Sequence, residues 1–271
     1  MEGSTDSNPI RKPALPTVTG VKAHGEFGHG YFDRYLKRNL VGVPAGTRVF
    51  PNAFWERYLR KLIKPDARVL EVGCGLGFFA SRLARRFSVV GLDISLEALS
   101  FARRRLHFTS LVCANAESLP CQSGIFDVVI ALDVIEHLAH PEAFLAEASR
   151  ALAPGGVLIV TTPNPASLGA RVKSGYSGDD TGKMWFGLRD ETHINIRPID
   201  QWRRAFADNH LNIIRDGTDF LWDPPYFRGI PVILQRLAFI GTQWLGAWLV
   251  GFLPWRLGEN YVAALRKQAI S

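Results

Sequence analysis

Cysteine is scarce in this 271-residue sequence: Cys74, Cys113 and Cys121 are the three present, and no C-x-x-C pair occurs. An odd count without such a pair argues against a disulfide framework and against a zinc knuckle. We therefore expect a protein of the reducing cytoplasm. The opening residues, MEGSTDSNPIRKPALP, also lack the apolar run of a secretory signal. Their serine, proline and charge predict a disordered tail over residues 1–20.

Acidic residues are too few to balance the basic ones, and the formal net charge is +7. The arginine pairs and triplets, such as Arg103–Arg105, fall in amphipathic stretches. We interpret them as solvated helix faces, so no nucleic-acid partner is expected. Hydrophobic residues make up 47% of the chain, which is enough for a full core and excludes wholesale disorder.

The spacing of apolar residues divides the chain into two parts. Apolar residues show helical spacing from Tyr31 to Lys64, which predicts an N-terminal helical cap over residues 21–64. From residue 65 onward, apolar runs typical of strands alternate with helical patterns, which predicts an α/β fold with a doubly wound, mostly parallel, Rossmann-like sheet. The predicted strands cover residues 68–72, 88–92, 109–113, 126–132, 156–161, 211–220 and 260–265. The predicted helices cover residues 78–86, 96–106, 141–152 and 200–209.

Two segments interrupt this alternation. Residues 163–198 are rich in Gly, Asn, Asp and Ser, and a loop of that length in a compact domain is usually functional, so we expect it to contact substrate. Residues 227–256 form an apolar insert, with no charged residue between Arg236 and Arg256.

The insert is long enough to be a membrane-span candidate. The last predicted strand must nevertheless return to the sheet, so a span is not expected. Three interpretations remain: a lid over a hydrophobic substrate, a homodimer contact, or a helix lying at the membrane surface. Trp244, Trp248 and Trp255 suit a membrane interface, which would make the cytoplasmic protein peripheral to a membrane.

Three glycines, Gly73, Gly75 and Gly77, lie between the first strand and the first helix of the sheet. Glycine there lets the backbone turn sharply and approach a ligand closely. The pattern is G-x-G-x-G. The dinucleotide motif G-x-G-x-x-G has its last glycine one residue later, where this sequence has Phe78. Asp93 ends the second strand, where a carboxylate can accept both ribose hydroxyls of a nucleoside. A nicotinamide-dependent oxidoreductase therefore remains an alternative.

The segments LEVGCGLG, VVGLDIS, CANAESLP, FDVVIALDVIEH and LAPGGVLIVTTPNP follow one another in order. Together they resemble the class I S-adenosylmethionine-dependent methyltransferases, and in particular the small-molecule enzymes that O-methylate ubiquinone precursors. The resemblance covers roughly residues 50–220 and the last strand. It implies a seven-stranded sheet, S-adenosylmethionine as cofactor, and methyl transfer to a small-molecule acceptor, with a hydroxyl on a hydrophobic or lipid-like metabolite as the expected target.

The resemblance also implies which residues contact the cofactor: Glu71, Gly73, Gly75, Gly77, Asp93, Ile94, Asn115, Ala116 and Leu132. The glycines would line its methionine part, Glu71 would face its amino group through water, and Asp93 would hold the ribose. This chain departs from the family at Asn115, where an aspartate usually accepts a hydrogen bond from the adenine amine. An amide oxygen can accept the same bond without a charge.

Two histidines are candidates for the base that a hydroxyl acceptor needs, namely His137 after the fourth strand and His193 in the 163–198 segment. Either could instead have only a structural part. Asp133, Glu136 and His137 resemble the metal-binding triplet of some ubiquinone-pathway methyltransferases. Metal-free relatives carry similar residues, so no metal is predicted.

Residues 223–226, D-P-P-Y, match a signature of amine-directed methyltransferases that act on nucleic acid or protein. That signature belongs after the fourth strand, whereas here it follows the sixth, so we interpret it as a proline turn. Amine-directed methylation nevertheless remains an alternative function. A membrane-associated binding protein without catalytic activity is another.

Overall fold

A computed structural model describes residues 57–106, 110–174, 190–218, 225–227, 229–235, 237–238, 245, 249, 252–254 and 256–268. The apolar runs of the sequence form seven strands: β1 (Arg68–Val72), β2 (Ser88–Asp93), β3 (Leu111–Cys113), β4 (Phe126–Leu132), β5 (Leu152–Pro163), β6 (Leu211–Thr218) and β7 (Asn260–Lys267). β5 is longer at both ends than the predicted 156–161.

The strands form one sheet in the order β3-β2-β1-β4-β5-β7-β6. The first five strands are parallel to one another, and β7 runs antiparallel to both β5 and β6. The strand order reverses direction between β1 and β4. In open α/β sheets, such a reversal leaves a crevice at the carboxyl ends of the strands, where ligands bind.

Helices fill the connections: α1 (Phe78–Leu83), α2 (Leu96–Leu106), a short 3-10 helix (Ile135–His137), α3 (Pro141–Ala151), α4 (Leu168–Ser174) and α5 (Ile199–Asp208). Residues 57–62 are also helical. The prediction that α1 continues to Arg86 was wrong by one turn, because residues 84–86 form a turn that leads into β2.

Hydrophobic side chains form a core on each face of the sheet. On one face, Phe144 of α3 and Trp202 of α5 are fully buried against β1, β4 and β5. On the other face, Leu59, Leu83 of α1 and Leu99 of α2 pack against the same sheet. Helices therefore cover both faces, and the predicted doubly wound, mostly parallel sheet is confirmed.

The 163–198 segment is not the continuous loop that its composition predicted, since α4 forms within it. Ser167 begins this helix, because its hydroxyl accepts a hydrogen bond from the backbone N–H of Ala170 at 2.9 Å. A serine at this position satisfies an N–H that would otherwise lack a partner at the helix start. Residues 175–189 lie outside the described residues, as do the predicted tail and residues 21–56 of the predicted cap.

Buried polar side chains hold together the residues that flank the apolar insert. Lys173 of α4 and Glu259, just before β7, are both fully buried with 4.0 Å between Nζ and Oε1. The Lys173 ammonium also lies 4.9 Å from the centre of the Tyr226 ring. Tyr226, the last residue of the D-P-P-Y match, is thus a packing residue; Asp223 and Pro224 lie outside the described residues.

The described residues of the insert include exposed apolar side chains. Leu237, Leu245 and Leu249 are 69%, 52% and 66% exposed. In the described part of the chain, no helix combines the length and the apolar character needed to cross a bilayer.

Gln235 orders the start of the insert, and its replacement tests this local arrangement. Its amide oxygen accepts hydrogen bonds from the backbone N–H groups of Tyr226 and Phe227, and its amide nitrogen donates to the carbonyls of Phe227 and Ile230. We expect Gln235→Ala to lower the free energy of unfolding by about 2–3 kcal/mol, because buried backbone groups lose their partners. Urea denaturation measures this loss. The exposed Gln201→Ala is the control, and equal stabilities of the two variants would contradict the assignment.

Candidate functional site

The glycine loop after β1 forms the centre of the site. Gly73, Gly75 and Gly77 have φ values of +68°, +50° and +74°, a region that side chains with a Cβ rarely adopt. A Cβ on Gly73 would also collide with the side chain of Val134, just after β4. The loop therefore requires glycine both for its backbone conformation and for its close approach to the neighbouring strand end.

Asp93, at the end of β2, braces this loop. One carboxylate oxygen accepts the backbone N–H of Gly75 at 2.7 Å, and the other accepts that of Ser95 at 2.8 Å. The side chain is buried, so these hydrogen bonds compensate for the free-energy cost of removing its charge from water. Each carboxylate oxygen can accept a further hydrogen bond, which leaves acceptor capacity for a ligand hydroxyl.

Glu71, in β1, is buried beside Asp93. Burial, together with the nearby Asp93 carboxylate, raises the pKa of Glu71 to about 8. The group is therefore largely neutral at neutral pH in this state. A cation placed next to it would favour its ionised form.

The remaining predicted cofactor contacts follow β2, β3 and β4 at the same edge of the sheet. Ile94 and Leu132 are half-buried and Ala116 is buried. Asn115 is exposed, and its side-chain oxygen accepts the backbone N–H of Glu117 at 2.9 Å. One lone pair of that oxygen is thus already engaged, and the second could accept a ligand amine.

The two predicted catalytic histidines lie against each other. The ring centroids of His137, in the 3-10 helix after β4, and His193 are 4.7 Å apart, with an angle of 61° between the rings. The structure thus brings together two histidines that the sequence placed in separate segments.

Glu136 completes a cluster with these histidines. One ligand atom from each of Glu136, His137 and His193 lies within 4.8 Å of the others. Glu136 is fully buried, and neither of its carboxylate oxygens accepts a hydrogen bond from the described residues. A carboxylate and two imidazoles suit a divalent cation. The structure therefore offers a donor set that the sequence pattern did not predict.

Asp133, the third member of the triplet suggested by the resemblance, is engaged elsewhere. Its carboxylate accepts hydrogen bonds from the hydroxyl of Thr161 at 2.6 Å and from the amide of Asn260 at 3.2 Å. Its backbone N–H donates to the Thr161 hydroxyl at 2.8 Å, and its φ is +54°. Asp133 thus links the end of β4 to β5 and β7, and His193 takes its place in the cluster.

Burial sets the charge state of this cluster. Burial, together with the neighbouring His193, lowers the pKa of His137 to about 4, so its imidazole is neutral near pH 7. Burial and the nearby Asp133 raise the pKa of Glu136 well above its ordinary value. Groups with such shifted pKa values are common at functional sites, because a bound ligand often supplies the charge or hydrogen bonds that burial takes away.

Residues 190–197 are clamped to the segment after β4. The backbone N–H of Asn195 donates to the carbonyl of Glu136 at 2.9 Å, and its side-chain amide donates to the carbonyl of Leu138. Arg197 pairs with Glu142 at the start of α3. These contacts hold His193 over His137.

The comparisons with known proteins identify the family to which the fold belongs. A family model described as a methyltransferase domain matches residues 48–215. A fatty-acid O-methyltransferase of Mycolicibacterium smegmatis is 39% identical over 103 residues, which cover 36% of this chain and 38% of that protein. A ubiquinone biosynthesis O-methyltransferase of a Chelativorans species is 29% identical over 164 residues, covering 58% and 63%. The chain thus spans less than two thirds of the length of these relatives.

Solved structures share the fold at low sequence identity. An S-adenosylmethionine-dependent methyltransferase of Thermotoga maritima is similar with a TM-score of 0.59 and 20% identity, covering 90% of this chain and 98% of that one. An S-adenosylmethionine-dependent methyltransferase of Archaeoglobus fulgidus gives a TM-score of 0.54 at 17% identity, covering 88% and 99%.

Glu71→Gln tests the electrostatics of the buried carboxyl group. Because the pKa of Glu71 is raised from 4.5 to about 8 on folding, the folded state binds the extra proton. Wild-type stability should therefore fall as pH rises from 4.5 to about 8, by at most about 1.4 kcal/mol per pH unit from this group. The amide cannot ionise, so the stability of Glu71→Gln relative to wild type should increase across that window.

Urea denaturation of the ligand-free protein at pH 5, 6.5 and 8 measures the effect. Asp208→Asn, at the exposed end of α5, is the control for removing one acidic group. A constant difference between wild type and Glu71→Gln at the three pH values would refute the raised pKa.

Proposed function

Because the chain belongs to the S-adenosylmethionine-dependent methyltransferases, we propose that it methylates a hydroxyl group of a small, hydrophobic or lipid-like molecule. The observation that carries the proposal is the position of His137 and His193. They lie against each other after β4, at the sheet edge where the glycine loop also ends. The cofactor supplies the methyl group as an electrophile, and the chain must align the acceptor and remove its proton.

We extend the proposal to the cofactor roles that the family resemblance implies. We assign the methionine part to Gly73, Gly75 and Gly77, where the absence of a Cβ allows a ligand to approach the backbone closely, and the ribose to Asp93. Glu71 would face the cofactor's amino group, whose positive charge would favour the ionised carboxylate. Ile94, Asn115, Ala116 and Leu132 would surround the adenine.

We assign the base to His137, because Thr192 holds its ring at Nδ1 and its neutral imidazole can accept a proton. His193 would shape the space over it.

Two observations support a hydrophobic acceptor. Relatives bear the names fatty-acid O-methyltransferase and phthiotriol/phenolphthiotriol dimycocerosates methyltransferase, the second from Mycobacterium ulcerans and 39% identical over 105 residues, which cover 37% of this chain and 39% of that protein. The insert also exposes leucines that water solvates poorly.

The same insert supports peripheral membrane association as a second candidate property. It has no charged residue between Arg236 and Arg256, and its tryptophans suit a lipid interface. An enzyme resting on a bilayer could take a lipid-like acceptor directly from it.

Removal of the Asp93 carboxylate tests the cofactor site. We expect Asp93→Ala to weaken S-adenosylhomocysteine binding by about 10- to 100-fold, or about 1–3 kcal/mol, because ribose bonds and the brace on Gly75 are both lost. Isothermal titration calorimetry measures the affinity. Asp127→Ala is the matched control, since Asp127 pairs with Arg68 at the opposite end of the strands. Unchanged affinity in Asp93→Ala would disprove the ribose assignment.

A panel of acceptors tests the proposed chemistry. The protein is incubated with methyl-deuterated S-adenosylmethionine and, separately, an alkylcatechol, oleic acid, oleylamine or a hydrophilic catechol, and products are identified by mass spectrometry. We expect label on the oxygen of a long-chain acceptor, and His137→Ala should lower alkylcatechol turnover by about 100-fold. Methylation of the amine alone would favour the amine-directed alternative.

A double substitution on the insert tests its role. Leu245 and Leu249 are both exposed in the folded chain, so Leu245→Asp with Leu249→Asp should leave stability and S-adenosylhomocysteine affinity intact. We expect it to abolish sedimentation with phosphatidylglycerol vesicles, or to raise the KM for the long-chain acceptor by about 10-fold, through lost apolar contact. Ile214→Asp, on the exposed side of β6, is the control. If wild type neither binds vesicles nor prefers long chains, the insert is a packing element.

A further inference from the structure

The hydrogen bonds of His137 determine which of its ring nitrogens carries the proton. Its Nδ1 lies 3.0 Å from the backbone carbonyl of Thr192 and 2.9 Å from the hydroxyl of the same residue. A carbonyl oxygen can only accept a hydrogen bond. The single hydroxyl hydrogen of Thr192 is donated to Asp190 Oδ1 at 2.6 Å, so the hydroxyl also accepts from the ring. Nδ1 must therefore carry the hydrogen, and Nε2 the lone pair.

Asp190 orders the turn that places Thr192 beside His137. Its Oδ1 accepts the backbone N–H of Thr192 at 3.0 Å as well as the Thr192 hydroxyl, and its carbonyl accepts the backbone N–H of His193 at 3.0 Å. The resulting turn presents both Thr192 oxygens to His137. Burial opposes the charge of Asp190, but the hydrogen bonds from Thr192 outweigh it and lower the pKa of this carboxyl group.

We propose that Asp190 and Thr192 are positioning residues that hold His137 in the Nδ1–H tautomer. The proposal rests on the proposed O-methylation: the acceptor oxygen forms a bond to the methyl group while the methyl–sulfur bond of S-adenosylmethionine breaks, S-adenosylhomocysteine leaves, and the proton of the acceptor passes to a base. With Nδ1 already protonated, Nε2 is the atom that takes this proton. The carboxylate of Asp190, the hydroxyl of Thr192 and the imidazole of His137 then form one chain, whose negative end stabilises the imidazolium.

The same geometry predicts a dependence on the acceptor. A phenol must lose a proton during transfer, whereas a fatty acid is already a carboxylate near pH 7 and has none to lose. Damage to the Asp190–Thr192 pair should therefore slow methylation of an alkylcatechol far more than methylation of oleate. A residue that only supported the fold would affect both acceptors alike.

The first test reads the tautomer directly. Long-range ¹H–¹⁵N spectra of the histidine-labelled protein with EDTA distinguish Nδ1–H from Nε2–H rings, and loss of one set of signals in His137→Gln assigns His137. We expect the Nδ1–H form in wild type and in Thr192→Ser. Asp190→Ala should populate the Nε2–H form, whereas Asp190→Asn, whose amide oxygen can still accept both bonds, should retain Nδ1–H. An Nε2–H ring in wild type would overturn the proposal.

The second test measures kcat and KM with the alkylcatechol and with oleate. Asp190→Ala and Thr192→Val should lower kcat for the alkylcatechol by about 10- to 100-fold, with KM and S-adenosylhomocysteine affinity nearly unchanged and with a smaller loss for oleate. Equal losses for both acceptors would overturn the positioning role. The spectra do not depend on the acceptor, so a protein with the Nδ1–H ring but no O-methylation would refute the proposed function and leave the tautomer established.

Discussion

The contact between residues 190–197 and the segment after β4 is the constraint on which the candidate site depends. Asn195 binds the carbonyls of Glu136 and Leu138, and Thr192 binds the ring of His137. These are bonds between segments about 55 residues apart in the chain. Without them His193 would not lie against His137, and the tautomer of His137 would not be defined. The sheet forms the edge at which the candidate site lies, and the contacts of residues 190–197 position the side chains of that site.

Buried carboxyl groups distinguish this edge of the sheet from the rest of the domain. Glu71 and Glu136 are both almost fully removed from water, and each has a raised pKa. Burial of such groups opposes folding unless a partner compensates for the lost hydration. A cofactor amino group near Glu71 would supply such compensation. Because the ligand supplies this compensation, the protein without its ligand is less stable than the protein with it.

The described residues of the apolar insert join the domain through the hydrophobic core as well as through backbone pairing: Phe252 packs in the core beside Tyr58, and Leu253 pairs with Thr218 of β6. Gln235 orders the start of the insert through hydrogen bonds to Tyr226, Phe227 and Ile230, while leucines further along are exposed. The family resemblance comes from the sheet and its loops rather than from the insert, and it therefore says least about the acceptor.

The sequence by itself determined the sheet, both helical layers and the glycine loop, because apolar periodicity and glycine positions are properties of neighbouring residues. The local pattern D-x-T at residues 190–192 is typical of a side chain that binds the backbone two residues on, and could have indicated the turn. Only the tertiary structure decided that His137 and His193 meet, that Asp133 is occupied by Thr161 and Asn260, and that α4 interrupts the expected loop. Each of these depends on contacts between strands and loops far apart in the chain, whose distances local patterns do not encode.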